Sequence, residues 1–195
     1  GGPTPLDDKT RVEAGEHFRA WLRAQLRDPQ GLPWTVLQTV IAKVADFLGD
    51  PALLTPDDGV DLARLEALRS GNKQPLRLAL LDAQAGEITG QTLDSVLSAL
   101  VPWSKQADPK PEELADLLDS AYRLLPPKTA RTEPLHLLFL RCWAQLAQHD
   151  RVRGERMWAS YLSQHPLPEE HAARRLVPLL LSLPEAEGSD TRQHK

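Results

Sequence analysis

Residues 37–51 read LQTVIAKVADFLGDP, and the spacing of their apolar members decides the fold. Leu37, Val40, Ile41, Val44, Phe47 and Leu48 recur at three- and four-residue intervals, the repeat of one face of an α-helix. Gly49 stands where a left-handed C-cap belongs and Pro51 follows, so the helix should stop there. Its apolar face is expected to bury itself against the helix before it.

The same pattern extends in both directions. Upstream, Phe18, Trp21, Leu22 and Leu26 form a stripe over Asp8–Arg27, closed by Asp28-Pro29-Gln30-Gly31. Downstream, Thr55-Pro56-Asp57-Asp58 reads as an N-cap, a proline at the first helical position and acids at the positive dipole end. The third helix carries Leu62, Leu65 and Leu68 and stops at Ser70-Gly71-Asn72. Leu76, Leu80 and Leu81 mark a fourth that ends near Gly86, and Leu93, Val96, Leu97 and Leu100 a fifth, halted by Pro102. Leu114 to Leu125 make a sixth, closed by Pro126-Pro127, and Thr132-Glu133-Pro134 opens a seventh with Leu135, Leu138, Cys142 and Leu146. Met157, Trp158, Tyr161 and Leu162 mark an eighth; a ninth is expected from Pro168 to about Leu183, kinked at Pro178.

Composition agrees with this reading. Leucine fills 35 of 195 positions against nine Val and two Ile. Leucine keeps its rotamer freedom in a helix, whereas β-branched residues lose theirs and favour strands. The expected fold is therefore all-α: eight or nine antiparallel helices in an irregular bundle or a short α-solenoid. The expected divisions are a disordered tag or linker over 1–7, an N-terminal helical subdomain over 8–101 and a proline-rich linker over 102–111. A C-terminal hairpin stack over 112–183 and a disordered tail over 184–195 complete them.

Charge and cysteine content narrow the function classes. A net charge of −4 gives no strongly basic face for a phosphate backbone. The acidity belongs to the first hundred residues, with ten Lys/Arg against fourteen Asp/Glu. The one cysteine, Cys142, excludes an internal disulfide and a multi-cysteine zinc site, and its apolar neighbours suit a small buried hydrophobe. No apolar run approaches 18 residues, so no membrane span is expected. The expected location is intracellular, cytoplasmic or nuclear.

No constellation for chemistry emerges. Asp82-Ala83-Gln84-Ala85-Gly86-Glu87-Ile88-Thr89 looks like a shortened EF-hand loop, but Thr92 occupies the terminal glutamate position. It reads better as a helix–turn–helix bend. Glu133-Pro134-Leu135-His136 matches half of a di-iron bundle motif and has no second copy. Neither metal nor cofactor is expected, and the chain is not expected to be an enzyme.

The stretch from Leu135 to Pro166 resembles a tetratricopeptide-type helical hairpin. Leu135, Leu138, Cys142, Gly154, Trp158 and Pro166 fall on the pattern's large, small, aromatic and proline positions, while Arg141, Gln145 and Tyr161 depart from it. The resemblance covers about one sixth of the chain; it implies stacked helix pairs, with a concave face for a peptide. A protein–protein interaction domain is thus the expected function: an adaptor, scaffold or chaperone-like subunit that takes a peptide or helix. Its contacts are expected at Arg151, Arg153, Arg156, Trp158 and Tyr161, with Arg174 and Arg175 beyond, and at Trp34 and Trp103. Basic residues interleaved with aromatics also suit a nucleic-acid-associated subunit, the alternative; glutamates nearby would make the same arginines a solvated face.

Overall fold

The computed structural model describes residues 4–104, 110–125 and 133–164. These form eight α-helices and no strand. They are α1 (Asp8–Arg27), α2 (Trp34–Leu48), α3 (Pro56–Ser70), α4 (Gln74–Asp82), α5 (Gly90–Ser104), α6 (Pro111–Tyr122), α7 (Glu133–His149) and α8 (Arg151–Gln164). Among the described residues no helix is long and apolar enough to cross a membrane. The expected ninth helix and the tail over 184–195 lie outside the described residues. The chain divides into two compact units, 1–99 and 100–195, and α5 runs across the division.

In the N-terminal unit, α1 packs on α2 and α3, and α3 on α4. Asp7 caps α1 by accepting from the Thr10 N–H at 2.8 Å. That backbone bond, with one from the Thr10 hydroxyl, holds the Asp7 carboxyl below its ordinary value. Leu22, Leu26, Leu37, Leu62 and Leu65 form the core between the first three helices, with Phe18, Trp34, Ile41 and Leu54 packed against it. Gly31 in the α1–α2 loop is required by space, since a Cβ there would lie 2.0 Å from the Gln25 carbonyl oxygen. Gly49 and Gly71 end α2 and α3 at φ 62° and 76°, left-handed positions that favour glycine.

Polar links tie α1 to α3. Arg23 Nη2 donates to Asp58 Oδ1 at 2.8 Å and Arg23 Nε to Asp61 Oδ2 at 3.1 Å. Asp58 also completes the capping box with Thr55. Further along, Arg69 donates to the Gln25 carbonyl at 3.1 Å and to Glu66 at 2.8 Å, closing over the start of the α1–α2 loop.

In the C-terminal unit, α6 packs on α7, and α7 on α8. A single residue, Asp150, joins α7 to α8, and its carboxylate accepts the Arg153 N–H at 3.0 Å. The two helices approach closely at Gly154, where a Cβ would stand 2.6 Å from that of Ala147. Trp143 Nε1 donates to the Gly154 carbonyl across the same contact. Aromatic rings fill this core: Tyr122 stacks on Phe139 at 5.4 Å, Phe139 on Tyr161 at 5.6 Å, and Trp143 on Trp158 at 4.7 Å.

Two boundaries differ from expectation. α5 continues through Pro102 to Ser104, because a proline in the last turn removes one N–H and frees only the exposed carbonyl of Ser98. α4 ends at Asp82 rather than near Gly86; the Ala83 N–H closes on Ala79 O at 3.2 Å, and Gly86 bends the following loop at φ 90°. The expected linker over 102–111 therefore begins and ends in helix, with 105–109 outside the described residues.

Candidate interaction surface

The expected contact residues are placed very differently from one another. Tyr161 is fully buried, and its hydroxyl lies 2.8 Å from His136 Nδ1. Burial, with a smaller contribution from Tyr122, pushes its phenol up to about 12. It is a core residue with no surface to offer. Trp158 is half-buried between Trp143 and Tyr161.

The arginines of α8 are mostly engaged within the unit. Arg153 Nη2 donates to Asp119 at 2.8 Å and to Asp116 at 3.0 Å, tying α8 to α6. The Asp119 bond leads in raising the Arg153 pKa above its ordinary value, against a smaller opposing effect of burial. Arg151 pairs with Glu155 one turn along at 2.7 Å. The Arg156 side chain is exposed and makes no ion pair or hydrogen bond among the described residues. Arg174 and Arg175 lie outside the described residues.

Trp34 and Trp103 are half-buried. Trp34 opens α2 and packs against the leucine core, with its Nε1 buried and lacking an acceptor. Trp103 occupies the last turn of α5.

Two of the places where chemistry was weighed, Cys142 and the loop before α5, have a plain local structure. Cys142 is buried, and burial pushes its thiol up to about 12. In the loop before α5, Asp57 of α3 accepts from the Thr89 N–H at 2.7 Å and from the Thr92 hydroxyl at 2.9 Å. Glu87 accepts from the Gln84 N–H at 2.8 Å. These carboxylates hold a helix–turn–helix bend together. Among the described residues no group of three or more His, Cys, Asp or Glu is arranged to hold a metal ion. An open cleft of about 680 Å³ lies beside the starts of α6 and α8, lined by charges of both signs: Lys110 and Arg151 against Glu112, Glu113 and Asp150.

The most exposed large apolar side chain among the described residues lies elsewhere, on α2. Leu37 and Leu48 are buried, and Val40, Ile41 and Val44 are half-buried. Phe47 is 77% exposed and Val36 42%. The expectation that this whole face is buried against α1 is therefore met only in part. At about 100° per residue, the apolar positions from Val36 round to Trp34 span an arc of roughly 160°. The leucine core shared with α1 and α3 takes the Leu37–Ile41 side, while Val36 and Phe47 at the other edge stand in solvent with Val40 half-buried between them. The width of that arc is legible in the sequence, and it is the signal that points to a surface here.

Comparison with models of known protein families, with curated proteins and with solved structures finds no match to this chain.

Proposed function

We propose that the chain is a non-enzymatic protein–protein interaction domain, serving as an adaptor or scaffold subunit of a larger assembly. The observation that carries this reading is the solvent-exposed apolar flank of α2, with Phe47 77% exposed in a helix whose opposite side is anchored in the core. Single exposed apolar residues are ordinary on protein surfaces. A row of them at helical spacing on a rigid element is the arrangement by which folded domains take a partner helix. Each large apolar side chain covered by a partner contributes about 1.5–3 kcal/mol toward association.

The α8 arginines favour the same reading over nucleic-acid binding. Two of the three described, Arg151 and Arg153, are neutralised by Glu155, Asp116 and Asp119. A phosphate backbone is best held by unpaired cations, which displace the counterions condensed on it.

Affinity purification of the chain under low and high salt tests the reading. The expected result is a protein partner in fixed stoichiometry, retained as salt rises because apolar burial is weakly screened. Nuclease-sensitive association that falls steeply with salt, or no co-purifying chain at all, would overturn it.

A further inference from the structure

On the uncovered flank of α2, Val36, Val40, Lys43 and Phe47 follow one another at spacings of four, three and four residues. That is the spacing of a coiled-coil seam. Val36 and Phe47 are exposed, and Val40 between them is half-buried. The Lys43 side chain is exposed and makes no ion pair or hydrogen bond among the described residues. Asp46, the other charged residue of the helix, stands three residues on, about 60° round the axis, and makes no pair with it.

We propose that this seam docks one amphipathic helix of a partner protein, whose apolar stripe carries a carboxylate opposite Lys43. The proposal rests on the interaction-domain reading and names the chemistry of the partner. From Val36 to Phe47 the seam runs about 16 Å, so the partner needs roughly three helical turns.

Lys43 selects the occupant by charge. A helix laid over Val40 and Phe47 removes water from the lysine stem and, unless the ammonium is paired, leaves a poorly solvated cation at the contact. An aspartate or glutamate at the matching position pairs that cation and fixes the register, the way one polar residue in an apolar seam specifies pairing. A basic helix meets repulsion at the same point. A second copy of this chain fits badly. Parallel α2 helices set lysine against lysine. Antiparallel ones, with Val36 over Phe47, set each Lys43 over a Val40. Either way two cations are covered and the seam supplies no acid.

The test uses the full chain and three synthetic helical peptides of identical sequence except at the centre of their apolar stripe, which carries Glu, Leu or Lys. Calorimetric titration should rank them Glu, Leu, Lys, with the Glu peptide at least tenfold tighter than the Lys peptide. Lys43→Glu should reverse that order, and Phe47→Asp should abolish binding of all three with circular dichroism and the melting curve unchanged. Equal affinity for the Glu and Lys peptides would overturn the proposal. So would a wild-type dimer in sedimentation that Phe47→Asp makes monomeric, which would assign the seam to a second copy. A co-purified partner retained by Phe47→Asp would dismiss the seam and leave the interaction reading standing. The absence of any partner would remove both.

Discussion

The N-terminal unit packs its first three helices on leucine, whereas the C-terminal unit builds its contacts around aromatic rings; each adds an arginine that pairs with two aspartates of another helix. In the first, Leu22, Leu26, Leu37, Leu62 and Leu65 form the core, and Arg23 links α1 to Asp58 and Asp61 of α3. In the second, Tyr122, Phe139, Tyr161, Trp158 and Trp143 follow one another in ring-to-ring contact, and Gly154 lets α8 approach α7. Aliphatic packing tolerates small shifts between helices; large flat rings with close neighbours do not. Substitutions of similar size should therefore be felt more severely in the C-terminal unit.

The largest effect is expected from Phe139→Ala, which removes the ring between Tyr122 and Tyr161. Phe139 is fully buried, so the loss should be about 3–5 kcal/mol in the C-terminal unit. Urea unfolding followed by amide exchange unit by unit should show that unit destabilised and the N-terminal one unchanged. Gly154→Ala comes next. Its new Cβ would sit 2.6 Å from Ala147 Cβ, and separating the two helices should cost about 1–3 kcal/mol by the same measurement. A cost below about 0.5 kcal/mol would show the aromatic unit to be the looser of the two.

The N-terminal unit should instead respond to acid. Burial raises the Asp61 pKa, but hydrogen bonds and charge from Arg64 and Arg23 outweigh it and hold the carboxyl below its ordinary value of 3.8. A carboxylate depressed by folding adds stability above its unfolded pKa, and that stability is lost as pH falls through the folded one. The N-terminal unit should thus lose this link only below about pH 4. Arg23→Met should cost about 1 kcal/mol at neutral pH, since both acids remain partly solvated, and should flatten the decline below about pH 4. Melting curves across that range check it. A pH profile identical to that of the unsubstituted chain would remove Arg23 from the account.

How much was legible in the sequence follows the same contrast. Helix ends that rest on local chemistry were readable: α1 over Asp8–Arg27, the Thr55 cap with Pro56, and glycines at 49 and 71. Periodicity locates an apolar face but does not say how much of it a neighbour covers, so Phe47 was expected inside and stands outside. The α8 arginines misled for a related reason. Arg153 is neutralised by Asp116 and Asp119, more than thirty residues upstream, and a charge pair at that separation leaves no local pattern. Tyr161 looked like a contact residue because its sequence neighbours include arginines, whereas packing of α8 on α7 turns it inward against His136 and Phe139.

The smallest expected effect on stability is also the sharpest test of the division between core and surface. Phe47→Asp changes an aromatic residue to a charged one on the most apolar helix of the N-terminal unit, which by sequence alone should be severe. Because Phe47 is 77% exposed and follows no other residue into the core, the change should shift stability by no more than about 0.5 kcal/mol. Leu37→Asp on the same helix, at a position with no exposure, should unfold the unit outright. If the two substitutions proved equally damaging, α2 would be buried on both flanks in solution and would have no seam to offer. A large difference between them, with helicity kept in Phe47→Asp, leaves the exposed flank as a surface whose apolar character folding does not require.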